Sequence, residues 1–540
     1  MSPWRPPMSD STRTDSVMLQ TPSCIRPCLR RMPHLVLLPL VALTLAACAV
    51  GPNYKAPAAP QAVTYARQDP VAVSQLVPEA DAQFWRELDD PVLHSLVENA
   101  LHANHDIRIA LSRYEQASAL TRERRQDYYP TLGASGEIST QRASAAQAPD
   151  ASRADRDSDL HSAGLSVIWE LDFFGRVRRS VESQRAETEA SAADLAGVQV
   201  AMVAELTDAY FRLRGLQVQL QVARDNEINQ ADTLRLIEVL FENGRGTSFD
   251  ADRARTQLAL TRSRIPPLEA EAAVAAHRIA VLTGRTPAAM AEVLDHPAAL
   301  PELPAQVNAG APGDLLRRRP DVAAAERRLA AATARIGVAM ADLFPRFTLG
   351  GLIGTQALGF GSLFERDSET RMISLGVGGS FLDVGRVRSR IAAANSATAE
   401  NLAVYERTVL RAMEETENAL VRLSRAQTEN AMLVQATEAS RRAAKTARLQ
   451  FEGGAIHVLD VLEAERSRLE SEDLLAQSAT RRATALVAVY KTLAGGWSHA
   501  LPGPQGEAVA QRHKSGDRPE LDELGEMSGY NAATLKRPLY

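Results

Sequence analysis

The chain has 540 residues, with 61 Lys+Arg against 66 Asp+Glu and a formal net charge of −5. A slightly acidic chain with a pI of about 6.1 lacks the basic footprint of a nucleic-acid binder, and 45% hydrophobic with 24% charged residues excludes disorder throughout. Aromatics make up only 5%, low for a large conventional core, so the long Ala/Leu/Arg/Glu/Gln-rich stretches point to extended helices.

Arg26, Arg30 and Arg31 precede an apolar run from Leu35 to Ala47. At about 13 residues it is short for a membrane-spanning helix and fits the apolar region of a secretory signal. It ends in Leu45-Ala46-Ala47-Cys48, small residues before a cysteine, which resembles the lipobox of bacterial lipoproteins. That resemblance implies removal of residues 1–47 and lipidation of Cys48; an ordinary signal with a chance cysteine is the alternative. Ala49 stands where an inner-membrane retention signal would carry Asp, so the lipobox rule implies sorting to the outer membrane. The basic region sits late, so Met18 serves as a start as well as Met1. Cys24 and Cys28 lie upstream of the apolar run; with the signal removed, no intrachain disulfide is possible, and Cys24-x3-Cys28 has no second ligand pair for a metal.

After an N-terminal segment, 48–88, a helical pattern is expected over Asp90–Asp127. The period then changes. Leu132, Ala134, Gly136 and Ile138 alternate with Thr131, Gly133, Ser135, Glu137 and Ser139; Leu165, Val167, Trp169 and Leu171 alternate with Ser166 and Glu170. From Gly175 to Glu242 there is no proline, and Leu195, Val198, Met202, Leu206, Leu213, Leu216 and Leu220 recur at helical spacing. One helix of about 67 residues would be roughly 100 Å long. It stops at Asn243-Gly244-Arg245-Gly246, and a returning helix about half as long runs to Leu282.

The same plan then recurs. At an offset of 215, Asp106, Ala110, Ala117, Pro130 and Thr140 match Asp321, Ala325, Ala332, Pro345 and Thr355. At an offset of 210, Gly175-Arg176-Val177-Arg178 matches Gly385-Arg386-Val387-Arg388, and Glu205, Ala209, Phe241, Gly244 and Asp250 match Glu415, Ala419, Phe451, Gly454 and Asp460. The second copy gives Asp314–Asp342 as helix, alternating runs at Phe347, Leu349, Gly351, Ile353 and at Ile373, Leu375, Val377, Gly379, Phe381, a long helix to Glu452, a turn at Gly453-Gly454, and a return to Leu493. The short helices 90–127 and 314–342 are expected to stack end to end on the returning ones.

Strand runs of about 9–11 residues suit transmembrane β-strands; a soluble hairpin with one buried face is the alternative. Four strands cannot close a barrel, and an open edge in lipid leaves backbone groups unpaired. Membrane insertion therefore demands oligomers, and three chains would give twelve strands. The expected fold is α+β and mostly α: a transmembrane β-barrel, four strands per protomer, continued by a long periplasmic α-helical barrel, with an internal two-fold repeat. The divisions are 1–47 signal, 48–88 lipid-anchored segment, 89–300 first repeat (strand pair 128–175, hairpin 176–284), 301–496 second repeat (helix 314–342, strand pair 343–385, hairpin 386–494), and a Gly/Pro/charge-rich tail, 497–540, that reads as disordered.

Several stretches carry a family resemblance: Cys48-Ala-Val-Gly51-Pro52-Asn53-Tyr54, Phe84-Trp85 with Asp89-Asp90-Pro91, Trp169-Glu170-Leu171-Asp172-Phe173-Phe174-Gly175-Arg176, and Leu315 through Pro320-Asp321-Val322 to Glu326, Ile336-Gly337 and Phe344-Pro345. From about Cys48 to Gly496 the chain resembles the TolC family of outer-membrane efflux ducts, in its lipoprotein branch of NodT-type factors of RND tripartite pumps. The resemblance implies a lipid-anchored homotrimer in the outer membrane, with outer-membrane lipid, a periplasmic adaptor and an inner-membrane RND pump as partners, exporting small toxic compounds or drugs. It implies no enzyme activity, no cofactor and no nucleic acid. An exit duct for type I protein secretion, or a periplasmic coiled-coil adaptor or structural lipoprotein, are the alternatives. As the far ends of the long helices, the tips Gly244, Arg245, Gly246, Gly453 and Gly454 are expected to dock the adaptor, a plain helix-terminating turn being the compatible alternative, and the resemblance implies that Asp250, Asp252, Asp460 and Glu463 form a periplasmic gate. Helix-start residues favoured by the macrodipole are an alternative reading of Asp250 and Asp460. Ile456 and His457 stand where family members often carry a basic or polar partner, so Arg245, Arg253 or Arg255 are the candidates for closing links.

No H-E-x-x-H, G-x-S-x-G or P-loop is present, and the ten histidines lack ligand spacing. Gly376-x-Gly378-Gly379 and Gly359-x-Gly361 have no strand–turn–helix context for a nucleotide. Arg317-Arg318-Arg319 reads as a solvated helix start, with Pro320 early in the helix and Asp321 in its first turn.

Overall fold

The computed structural model describes residues 49–58, 83–304, 306–307, 316–380 and 382–494. Cys48, the expected signal 1–47, Phe381 and the tail 497–540 lie outside the described residues. Among the described residues no helix is long and apolar enough to cross a membrane.

The first helical stretch is two helices, not the single one expected over Asp90–Asp127: α1 (Pro91–Ala103) and α2 (His105–Gln126). Asn104 divides them. Its side chain accepts from the Asp106 and Ile107 amides at 2.8 and 3.1 Å, a new N-cap, while its amide donates to the Leu282 carbonyl at 2.9 Å. The start of α2 is thereby fixed to the end of a helix almost 180 residues later.

Strands β1 (Thr131–Arg142) and β2 (Asp157–Leu171) precede α3 (Arg176–Glu242), a single 67-residue helix. The Asp172 carboxylate caps α3 by accepting from the Val177 and Arg178 amides at 3.0 and 2.9 Å. The helix stops at Gly244, with φ +71°. There the Arg245 amide donates to the Leu240 carbonyl and the Gly244 amide to that of Phe241, closing a Schellman turn. A Cβ at Gly244 would meet nothing within 4 Å, so glycine answers the backbone angle here, not crowding.

The returning α4 (Ser248–Leu282) runs through Pro266 and Pro267. A proline in a helix interior ordinarily costs about 3 kcal/mol by removing a hydrogen bond. Both lie on the exposed side of α4, where water can satisfy the carbonyls left without partners. A short helix missed in the sequence, α5 (Pro287–Leu294), buries Met290 and Leu294.

In the second half α6 (Pro320–Ala341) precedes β3 (Arg346–Ala357), β4 (Glu369–Gly378), α7 (Val384–Glu452; 69 residues) and α8 (Val458–Thr492). The α7–α8 turn repeats the first: Ala455 N donates to Gln450 O and Gly454 N to Phe451 O. The returning helices have 35 residues each. The reading of Arg319 as solvated is corrected. It is 8% exposed, pairs with Asp321 and Glu415 at 2.7 Å, and reaches the Thr492 carbonyl at 3.4 Å. A buried guanidinium held by two carboxylates ties the start of α6 to α7 and to the end of α8.

The strands form one antiparallel sheet in the order β1-β2-β3-β4, so the two halves join through β2 and β3. β1 and β2 extend past the expected apolar runs, because Thr140–Arg142 and Asp157–Asp159 pair as a polar rim. β4 ends at Gly378, so Gly379 lies beyond the ladder.

The main core lies at mid-height of the long helices. Phe84, Trp85 and Leu88 of a 3₁₀ turn, Leu93 and Val97 of α1, Leu206, Tyr210 and Phe211 of α3, Ile279 of α4, Leu423 of α7 and Tyr490 of α8 pack there. Phe84 stacks on Tyr490 with ring centroids 4.3 Å apart. Asp90 caps α1 and also accepts from the Tyr210 hydroxyl at 2.6 Å.

Candidate functional site

The candidate surfaces are the two faces of the sheet, the corner where strands turn into helices, and the hairpin tips.

Antiparallel partners share a face. Pairing Leu132 with Val167, Ala134 with Leu165, Val167 with Gly351, Trp169 with Leu349 and Leu349 with Leu375 therefore puts all four alternating sets on one side. Leu132, Ile138, Leu165, Ile353, Ile373 and Leu375 of that side are 60–88% exposed. The other side carries Ser135, Glu137, Ser162, Ser166, Thr348 and Ser374 among many glycines, with Leu160, Ile168, Leu352 and Met372 between them. Several of those glycines leave room for hydroxyls: a Cβ at Gly350 would come within 2.6 Å of the Ser374 Oγ, and one at Gly376 within 2.7 Å of the Thr348 Oγ1. An exposed apolar face backed by one richer in small and polar residues follows the dyad pattern of strands between lipid and water.

At the foot of the sheet, Trp169 donates to the Tyr128 carbonyl at 3.0 Å, Phe173 meets Phe347 edge-on, and Phe174 stacks on Phe344. Glu170 takes Arg176 in a bidentate pair at 2.5–2.7 Å. Aromatic and charged groups at one level suit a membrane–water boundary.

The N-terminal residues following Cys48 are bound at this corner. The Val50 amide donates to the Phe174 carbonyl at 3.1 Å. The Arg179 guanidinium donates to the Val50 and Gly51 carbonyls and, at 2.6 Å, to Asn53 Oδ1. Tyr54 donates to Glu326 at 3.1 Å beneath the Arg327 guanidinium. Burial and the neighbouring Glu326 carboxylate push the Tyr54 hydroxyl well above the ordinary tyrosine range. Arg179 was not anticipated from sequence: apart from Glu182 three residues on, its partners Val50, Gly51 and Asn53 lie more than 120 residues away.

At the tips, Val458 and Leu462 of α8 pack against Ile237, Ala251 and Ala254 of the first hairpin, which brings both turns to one end. Asp250 stands three residues past Thr247, whose hydroxyl donates to its carboxylate at 2.6 Å and accepts its amide at 3.2 Å. Asp460 accepts from the His457 amide at 3.1 Å. Both are helix-start residues. Asp252 pairs with Arg255 at 2.9 Å, and Arg255 reaches across the hairpin to Glu238 at 2.7 Å. Glu463 pairs with Arg466 at 2.7 Å. Arg253 lies over the Phe249 ring, 5.7 Å from its centroid. Gly244, Arg245, Gly453 and Gly454 are exposed and Gly246 half-buried. Exposed ion pairs of this kind are worth about 0–1 kcal/mol, so Asp252 and Glu463 can exchange their partners at little cost.

The family described as outer membrane efflux protein matches residues 96–285 and 311–495. Nodulation protein T of Rhizobium leguminosarum bv. trifolii is 30% identical over 444 residues, 82% of this chain and 92% of that protein. The pyoverdine export outer membrane protein OpmQ of Pseudomonas putida is 31% identical over 474 residues, 87% and 98% of the two. The solved outer-membrane channel OprN superposes with a TM-score of 0.77 at 38% identity, over 83% of this chain and all of that one. OpmQ is named as an outer membrane protein and OprN as an outer-membrane channel, and the chain, as its Trp169–Arg176 and Pro320–Glu326 motifs led us to expect, belongs to the outer membrane efflux protein family.

Proposed function

We propose that the chain is the outer-membrane duct of a tripartite efflux system, a passive homotrimer that passes small toxic compounds or drugs to the outside. The observation that carries this reading is the open sheet with one exposed apolar face. Its β1 and β4 have no outer partners among the described residues. Backbone groups at such edges cost several kcal/mol each in lipid. Three copies joined edge to edge make a twelve-stranded barrel, apolar outside and polar within. The 67- and 69-residue helices, each about 100 Å long, continue it as an α-helical barrel. Matching helix lengths and the two matched stretches support an internal two-fold repeat, 89–300 and 301–496.

In this reading Cys48 is lipidated, and the binding of residues 50–54 beside the aromatic foot of the sheet suits a lipid held at the membrane boundary. The tips at Gly244–Gly246 and Gly453–Gly454 receive a periplasmic adaptor, which links the duct to an inner-membrane RND pump. Asp250, Asp252, Asp460 and Glu463 close the narrow end by exchanging their intrachain partners for those of a neighbouring copy. OpmQ is named for pyoverdine export; for this chain the motive force comes from the pump.

Planar-bilayer recording of the protein purified from outer membranes tests the duct. Discrete, low conductance steps are expected, with a rise when the gate carboxylates are removed. No conductance, together with a soluble periplasmic monomer on Cys48→Ser, would contradict it.

A further inference from the structure

Glu137 stands out on the polar face of the sheet. Two other strand residues there are ionisable, and each has a partner: Glu170 with Arg176, and Arg346 with Asp342. Glu137 is exposed and makes no hydrogen bond or ion pair among the described residues. Across the ladder it faces Ser162, and Ser162 faces Gln356, so its own level holds no cation. Its strand, β1, is a sheet edge, and the edge that would meet it from a second copy is β4. On this face β4 carries Thr370, Met372, Ser374, Gly376 and Gly378, again with no positive charge. Closing the barrel on a neighbouring β4 therefore gives Glu137 no cationic strand partner at any register of that new contact.

Twelve strands spaced about 4.8 Å apart and tilted about 40° enclose a barrel of roughly 12 Å radius at the backbone. A glutamate side chain projecting inward brings its charge within about one Debye length, about 8 Å at physiological salt, of the axis. Charge on the low-dielectric wall of a pore focuses its field into the water it encloses. With no countercharge, a three-fold ring at this level raises the energy of anions and lowers that of cations along the whole cross-section.

We infer that Glu137 forms a ring of three unpaired carboxylates in the exit barrel and makes it a filter that favours cationic and neutral cargo over anions. The inference rests on the trimeric duct proposed above. The test is the reversal potential of the full chain in planar bilayers under a KCl gradient, for wild type, Glu137→Gln and Glu137→Lys. Both variants sit on the water-exposed face, so heat-modifiable assembly is checked first on a gel. The expected result is a cation-side potential for wild type, a shift toward zero for Glu137→Gln, and a further shift toward the anion side for Glu137→Lys. Conducting assemblies whose potentials are the same for all three proteins would overturn the ring while leaving the duct standing. Failure of the wild type to conduct at all would overturn the duct, and the ring with it.

Discussion

Gly51 lies so close to Gly337 that a Cβ placed on Gly51 would stand 2.5 Å from the Gly337 Cα. Gly51 also holds φ at +96°, a conformation that side chains rarely adopt. From the other side, a Cβ on Gly337 would meet Arg179 Cγ at 2.8 Å and the Val50 carbonyl at 2.9 Å. Two glycines, one on the strap at 49–54 and one on α6, thus let the backbones approach closely, with Arg179 beside them. Gly337→Ala should cost about 1–3 kcal/mol through overpacking and release the strap. Limited proteolysis should then cut between residues 49 and 57 faster than in wild type. An unchanged cleavage rate and an unchanged melting temperature would show that the contact is not tight.

Leu349 and Leu375 are directly paired on the apolar face. Replacing either by Arg should cost about 2–4 kcal/mol if the face lies near the bilayer midplane. Ser374→Arg, one residue along β4 but on the polar face, should be tolerated much better. The yield of heat-modifiable assembly in outer membranes reads the difference. Equal yields for all three variants would contradict the assignment of faces.

The gate carries a separate prediction. Asp460→Ala with Glu463→Ala should raise single-channel conductance, and neutralising Asp250 and Asp252 as well should abolish block by a multivalent cation. Loss of the capping contacts costs about 1 kcal/mol each, so a melting curve separates gate opening from unfolding. Conductance and block unchanged after removal of all four carboxylates would put the constriction elsewhere.

Tyr210 gives an alkaline signature. Burial, and then its hydrogen bond to the Asp90 carboxylate, push the hydroxyl up to about 12. The folded chain therefore resists losing this proton, while an unfolded tyrosine ionises near 10. The stabilisation is complete below pH 10 and is lost as pH rises from about 10 to 12, in total of order 2 kcal/mol. Tyr210→Phe should flatten that part of the stability profile; identical alkaline profiles for the two proteins would contradict it.

Much of this architecture is legible in the sequence because two periods do not mimic each other. Alternation at Leu132–Ile138 and Leu165–Leu171 marks strands, and the glycines at 244 and 454 stop helices whose interiors have no proline and few glycines. What escaped depends on contacts distant in sequence. Nothing near Asn104 signals the break, since helical pattern continues on both sides and the deciding partner is Leu282. Pro266-Pro267 would ordinarily argue against a helix, and only exposure of that side permits one. Arg319 reads as a surface charge until α7 supplies Glu415. At the tips the i,i+3 spacing of Asp252 with Arg255 and Glu463 with Arg466 was present in the sequence, whereas Arg255 to Glu238 needed the hairpin to close.

An open four-stranded sheet with an apolar face is stable in a membrane only if other strands close it. Native mass spectrometry of the detergent-extracted outer-membrane protein counts the copies. Three chains per particle, dissociating to unfolded single chains on heating, is the result expected. A folded single-chain particle that remains in the outer membrane and conducts would contradict the shared barrel.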